Sequence, residues 1–360
     1  MNRQSYNSIA RQWSESRTSF VGNERLYLEM LLDGLAPPAS ILDAGCGSGR
    51  PMAEFVIGQG HCITGIDQSE DLLYIARETF PCATWIQARL EECPFDGRYD
   101  GVICWDSLFH IERAHHARIL SELYRCLAPG GRIMLTVGGS DNPPFTDTMF
   151  GREFFYDSLP PESVSSLMVG IGYELLVNEY MDLPTSGRNK GRVAIVARKP
   201  RVELGRATPE DAAVFATMEA AADTSEYIMG YSLDEHARRL IDPDLLYLRI
   251  LDEGTLAGFF LLALDADDTS VEFRRIVVTV RGRGIGQAAI ARMERFCQAE
   301  LGRSRIWLDV FEDNHRARHI YEKLGYERFG ETKHGDKRLL LYWKSLLAVD
   351  VQPRVPKQGR

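Results

Sequence analysis

Two glycine-rich stretches constrain this chain more than any other feature. Each follows a β-rich apolar run and leads into a helical pattern: ILDAGCGSGR at 41–50 and VTVRGRGIGQAA at 278–289. Glycine at a strand–helix junction lets the backbone turn tightly and lets a ligand approach the first helical amides, which carry partial positive charge. The two loops differ in spacing and in their charged neighbours, so they do not mark an internal repeat. They point to two separate cores, and 360 residues are enough for two domains.

Short β-rich runs at 41–44, 62–66, 84–87, 101–105 and 132–137 alternate with helical patterns such as EDLLYIARETF and HHARILSELYRCL. That alternation predicts a mostly parallel sheet covered on both faces. Runs at 174–179 and 193–197, separated by LPTSGRNKG, predict an antiparallel closing pair. RKPRVELGRATPEDAAVF then reads as a boundary: a basic, proline-bearing link, a strand, and a helix start with Thr208 as N-cap and Pro209 in the first helical position. Beyond it, strands are expected in LLYLRIL, LAGFFLLAL and SVEFRRIVV. A helix from Gly286, strand RIWLDV, helix DNHRARHIYEKL and strands GYERFG and KRLLLYW follow.

Composition narrows the function classes. The chain is 44% apolar and 26% charged, with a net charge of −9 and no basic field in either half for a nucleic-acid backbone. No apolar run approaches the roughly 18–20 residues of a membrane span, and MNRQSYNSIARQW has no signal-peptide core, so a cytoplasmic location is expected. The seven cysteines form no C-x-x-C pair and read as buried reduced thiols, and no pattern of metal ligands is present.

In the first loop, Gly45, Gly47 and Gly49 follow Asp43, a carboxylate placed to attract a cationic amino group rather than a pyrophosphate. Asp67 ends the next strand, where an acidic side chain can accept bonds from both ribose hydroxyls. The ordered series YNSIARQW, ILDAGCGSGRP, GIDQSEDLL, YDGVICWDSLFHI and CLAPGGRIMLTVGG resembles the class I S-adenosylmethionine-dependent methyltransferases over about 200 residues. The resemblance implies that Gly45, Gly47 and Gly49 line the methionine part of S-adenosylmethionine, that Asp67 holds the ribose, and that Tyr6 and Arg11 close over the methionine end. Where relatives carry an Asp for the adenine amine, this chain has Arg89, which can only donate. Adenine is then expected to rest on apolar contacts and main chain, with Glu91 as a candidate helper. Asp106 and His110, after the fourth strand, are candidates for substrate contact or proton removal. The competing reading makes Asp106 a cap and His110 a satisfied core histidine.

In the second loop Arg281, Gly284 and Gly286 form an R-x-x-G-x-G skeleton before a helix, a cradle for pyrophosphate to which Arg281 and Arg283 can add ionic contacts. With VEFRRIVV before it and RIWLDVFEDNHRARHIYEKLGYERFG after it, the region 202–346 resembles the GNAT N-acetyltransferases. The resemblance implies acetyl-CoA or another acyl-CoA as cofactor. Its pantetheine arm is then expected beside Ile276 and Val278 as an added strand, with Asn314 near the arm. Tyr321 is the expected acid for the departing thiolate, and Glu272 is the candidate base for the incoming ammonium. A core aromatic and a solvated strand-edge carboxylate are the competing readings.

The resemblances together imply an α/β two-domain protein. A Rossmann-like seven-stranded methyltransferase sheet is expected over 1–199, a GNAT α+β fold over 202–346, and a flexible tail over 347–360. The expected function is bifunctional group transfer to an amine-bearing small molecule. Modification of a protein or ribosomal-protein amine, and a non-catalytic role for one domain, stay open as alternatives. The aromatic stretch PPFTDTMFGREFFY at 143–156 reads as a lid over the methyl-transfer pocket or as a packed loop.

Overall fold

The structure, a computed structural model, describes residues 2–185, 189–221, 230–280, 282–346 and 352–354. The chain divides into two compact units, Met1–Pro200 with Asp350–Arg360, and Arg201–Val349.

In the first unit, helices α1 (Asn2–Ser16) and α2 (Glu24–Leu32) precede an alternating series. It runs β1 (Ser40–Ala44), α3 (Met52–Gly58), β2 (Cys62–Asp67), α4 (Glu70–Thr79), β3 (Thr84–Gln87), β4 (Tyr99–Cys104), α5 (His116–Cys126) and β5 (Leu127–Gly138). A hairpin of β6 (Phe145–Met149) and β7 (Arg152–Tyr156), helix α6 (Pro161–Ile171) and strands β8 (Glu174–Asp182) and β9 (Arg192–Arg198) complete it. The sheet order is β3-β2-β1-β4-β5-β9-β8, parallel from β3 to β5, with β9 antiparallel to both β5 and β8.

Alternation along the central strands divides two cores. Leu42, Val102, Cys104, Ile133 and Leu135 pack toward α5 and α6, while Ile41, Ile103 and Met134 pack toward α2 and α3. The turn into α4 has a local cause. Ser69 caps α4 by accepting the Leu72 amide at 3.3 Å, and Glu70 and Asp71 follow in the first turn.

The aromatic stretch expected as a lid or loop is the β6–β7 hairpin, clasped by α1. The Asn2 amide donates to the Phe155 carbonyl at 2.9 Å and accepts the Phe155 N–H at 2.8 Å, and Ser5 donates to the Glu153 carbonyl at 2.6 Å. Part of the expected loose tail is also ordered: Arg354 bridges the edge of β8 through main-chain bonds to Asn178 and Tyr180. Cys62 and Cys82 are exposed rather than buried, because both sit at strand or turn margins outside the packed faces.

The second unit contains β10 (Val202–Arg206), α7 (Ala212–Glu219), α8 (Leu233–Leu240), β11 (Leu245–Asp252), β12 (Thr255–Leu264), β13 (Ser270–Val278) and α9 (Ile285–Ala299). After these come β14 (Arg305–Phe311), α10 (His315–Lys323), β15 (Glu327–His334) and β16 (Lys337–Ser345). The order is β10-β11-β12-β13-β14-β16-β15. β13 and β14 are parallel and pair only through Ser270–Glu272 with Arg305–Trp307, although both strands run on. They part beyond that point and open the sheet. On its other side, β13 carries one extra residue, because Leu261 and Leu262 of β12 pair with Arg275 and Phe273 and Arg274 is skipped. Among the described residues, no helix is long and apolar enough to cross a membrane.

Candidate active sites

The first cleft opens where strand order reverses, at the C-terminal ends of β1 and β4, and encloses about 580 Å³. Asp43, near the end of β1, lines it and is 3% exposed, and its carboxylate accepts no hydrogen bond from any described residue. Burial, reinforced by the nearby charge of Asp67, pushes its pKa up to about 7. Asp67, the last residue of β2, is differently held. It accepts the Gly47 N–H at 2.9 Å and the Ser69 N–H at 2.8 Å, and these amides oppose the upward push of burial on its pKa. The carboxylate anchors the glycine loop and retains lone pairs for hydroxyl donors in the cleft.

Gly45 is required by close approach: at φ +90°, a Cβ there would lie 2.2 Å from the Ser107 Oγ. Gly45 and Gly47 line the cleft, but Gly49 does not. A Cβ at 49 would meet Trp85 and Phe80 at 3.0 and 3.1 Å, so that glycine serves packing of the loop on two aromatic rings.

From α1, Asn2, Tyr6 and Trp13 line the cleft, whereas Arg11 is exposed and outside its lining. At roughly 100° per residue, position 11 lies about 140° around the helix from Tyr6, while position 13 returns to within about 20° of it. Trp13 was thus legible from helical spacing. Arg17, just beyond α1, also lines the cleft and pairs with buried Glu24 at 2.6 Å, which accepts the Trp105 indole N–H at 3.0 Å.

His110 lines the cleft, and both its ring nitrogens are engaged. Nδ1 lies 3.0 Å from the Phe155 carbonyl, which can only accept, so Nδ1 carries the proton and Nε2 accepts from the Tyr6 hydroxyl at 3.0 Å. Burial lowers the His110 pKa and raises that of Tyr6 well above its usual value, so both stay neutral.

Asp106, at φ +48°, is bound by the Thr136 hydroxyl at 3.1 Å and by Arg192 at 3.1 Å through both oxygens. Its charge is answered by protein, and no sequence signal tied it to an arginine on β9. Arg89 also lines the cleft and is neutralised by Glu91 and more distantly by Glu92, at 3.6 Å. Leu72, Ala88, Leu90 and Ile111 supply apolar wall beside them.

The second cleft, of about 1230 Å³, lies between the diverging strands β13 and β14. Ile276 and Val278 line it, and on the β14 side their strand has no partner beyond Glu272, which leaves an open strand edge. Gly282, Gly284 and Gly286 lead from that edge into α9, with Gly284 as its N-cap. Arg281 lies outside the described residues. Arg283 turns away to Asp252 at 3.3 Å and does not line the cleft. Asn314 lines it and caps α10 by accepting the Ala317 N–H at 3.1 Å, leaving its amide N–H groups free to face the cleft.

Tyr321, on α10, is 9% exposed and packs edge-on against Phe273 with centroids 5.8 Å apart. Its hydroxyl has no hydrogen-bond partner among the described residues, and burial with the nearby charge of Asp309 raises its pKa strongly. Glu272 lines the same cleft but is held by Arg274 at 2.7 Å. Asp309, on β14, was missed from sequence. Its side chain reaches solvent, yet enough protein surrounds it to raise its carboxyl pKa, with His334 and Arg274 opposing. It forms no ion pair within the described residues. Only the splay of β14 from β13 turns it into cleft lining.

A doubly wound sheet with cation-seeking carboxylates at its switch point, joined to a sheet opened by two splayed strands, defines a protein of two group-transfer folds. Residues 41–131 match the methyltransferase domain model and residues 215–326 match the model of the acetyltransferase (GNAT) family. The chain therefore joins a methyltransferase domain to a GNAT-family acetyltransferase domain.

An uncharacterized methyltransferase of Synechocystis is 32% identical over 121 residues, 33% of this chain and 57% of that protein. A ubiquinone biosynthesis O-methyltransferase of Pseudomonas paraeruginosa is 28% identical over 127 residues, 34% of this chain and 53% of that protein. The chain thus spans little more than half the length of these curated relatives. A spermidine N-acetyltransferase from Vibrio cholerae is similar in structure at 19% identity and TM-score 0.36, covering 41% of this chain and 94% of that one.

S-adenosylmethionine and acyl-CoA are the cofactors of these two domain classes, and the residues present fit both. The buried carboxylate of Asp43, without a partner among the described residues, suits a cationic ligand. The unpaired edge of β13, leading to the glycine-rich start of α9, suits an amide-bearing arm that ends in phosphates.

Proposed function

We propose that the chain is a bifunctional transferase that methylates from S-adenosylmethionine and N-acylates from acyl-CoA, with acetyl-CoA the expected donor and an amine-bearing small molecule the acceptor. The observation that carries this reading is the presence of two donor clefts, one in each unit, each with the polar groups its donor needs. The first cleft's volume falls within the roughly 300–1,000 Å³ of small-molecule sites.

Bound in these clefts, the two cofactors supply an electrophilic methyl group and a thioester acyl group. In the first cleft, Asp43 would meet the cationic amino acid end and Asp67 the ribose hydroxyls, while Tyr6 and Trp13 cover the site from α1. Asp106 is paired and His110 has no open lone pair, so the reading that fits best is alignment of a nucleophile that arrives deprotonated. In the second cleft, Tyr321 keeps its proton and is the expected acid for the thiolate. Asp309, unpaired, is better disposed than Arg274-bound Glu272 to take the ammonium proton.

Titration calorimetry with S-adenosylmethionine and, separately, acetyl-CoA is expected to show saturable binding of both, one site each. Absence of binding for either ligand would remove the bifunctional reading. Asp67→Ala should weaken S-adenosylmethionine binding by about 1–3 kcal/mol through lost ribose bonds. Unaltered affinity would mean that the ribose lies elsewhere.

A further inference from the structure

Arg239, on α8, lines the second cleft, but its side chain has no hydrogen bond or ion pair with any described residue, and its Nε is buried without an acceptor. Its guanidinium stands 4.1 Å from the centroid of Tyr231, which also lines the cleft. Arg275 stands at the same 4.1 Å from that ring. Two cations therefore gather on one aromatic ring, whose quadrupole tolerates them, and among the described residues only Arg275 of the two is ion-paired.

Buried Glu219 is the carboxylate that answers Arg275. It pairs with Arg275, accepts the Tyr231 N–H at 2.7 Å, and lies 3.3 Å from the His236 Nε2. Its oxygens are taken, and one of the two positive charges is answered. Glu235, one turn from Arg239, is bound instead to the helix cap, accepting the Ser232 N–H at 2.7 Å. The charge of Arg239 is left facing the cleft.

This end of the cleft is separate from the expected donor groove. Along β13, Val277 packs with Phe215 of α7, whereas Ile276 and Val278 pack with the core under α9. By strand alternation Arg275 shares the α7 face with Val277. Tyr231, Arg239 and Arg275 therefore line the cleft on the α7–α8 side, and the glycines before α9 line it on the other.

We propose that the acyl acceptor is an amine that also carries a carboxylate, and that Arg239 binds this carboxylate on the α7–α8 side of the cleft. A guanidinium presents paired N–H donors matched to a carboxylate, and partial enclosure strengthens the pairing. The proposal rests on the acyl-transfer reading above.

The test is thiol release from acetyl-CoA by the full chain, with calorimetric binding of acetyl-CoA measured alongside. Acceptors are β-alanine, 4-aminobutyrate and L-lysine, each against its carboxamide, with spermidine as a carboxylate-free polyamine. The expected result is a kcat/KM ratio of carboxylate to carboxamide of at least about tenfold. That ratio should fall to about one in Arg239→Gln and stay intermediate in Arg239→Lys, with the melting curves of both variants checked for folding. A wild-type ratio near one, spermidine as the best acceptor, or an undiminished ratio in Arg239→Gln would overturn the proposal. So would turnover of none of these amines while acetyl-CoA binds. Failure of acetyl-CoA to bind would instead bring down the acyl-transfer reading beneath it.

Discussion

Asp43→Asn should stabilise the ligand-free protein above about pH 7 and weaken its binding of S-adenosylmethionine by at least tenfold. Both effects have one cause: a buried carboxylate with no hydrogen-bond partner among the described residues and with Asp67 close by. Its pKa of about 7 in the folded protein lies far above the value of roughly 4 for an unfolded Asp. The folded state therefore holds the extra proton. The stability that this proton supplies is complete below about pH 4 and is lost as pH rises through about 7. A cationic ligand reverses the preference, because it favours the ionised carboxylate. Wild-type affinity should then fall about tenfold for each pH unit below 7 and level off just above it. In Asp43→Asn that acid limb should vanish. Melting curves and calorimetry across pH 5.5 to 8 check both signs, and a wild-type affinity indifferent to pH over that span would show that Asp43 does not meet the cation.

Tyr321→Phe should lower kcat for acyl transfer by about two orders of magnitude, the lower range for loss of a general acid, and leave acetyl-CoA affinity within about twofold. Phenylalanine retains the ring contacts with Phe273 and Tyr326, both at 5.8 Å, so the wall of the cleft persists. What disappears is a hydroxyl with no hydrogen-bond partner among the described residues, kept protonated by burial and by the charge of Asp309. Such a group is free to donate to an atom in the cleft. Steady-state kinetics with a fixed amine, together with calorimetric titration of acetyl-CoA, separates the two quantities. Unchanged turnover would reduce Tyr321 to a packing residue.

Several site features could be read before any fold was known. Asp43 and Asp67 stand at the ends of β1 and β2, and in a parallel sheet strand ends converge on one edge, so local sequence is enough to bring them together. The R-x-x-G-x-G stretch likewise carried its own geometry, a strand edge running into a helix start. Arg11 and Gly49 fall outside the cleft lining for physical reasons of different kinds. Arg11 lies on the wrong side of its helix, which spacing alone could have shown. Gly49 faces Trp85 and Phe80, and contact between a loop and a ring on another strand has no local signature.

The sequence by itself determined the strand–helix rhythm, the two glycine junctions and the acidic or basic residue beside each, because these depend on neighbours within a few residues along the chain. Tertiary structure decided which of the charges are available for chemistry. Arg192 answers Asp106 across 86 residues, Tyr6 occupies the free nitrogen of His110 across 104, and Arg274 holds Glu272, while Asp43, Asp309 and Arg239 are left without an ion-pair partner among the described residues. A charge becomes a reagent only when no other part of the chain neutralises it, and that balance is settled by residues that meet only when the sheets form.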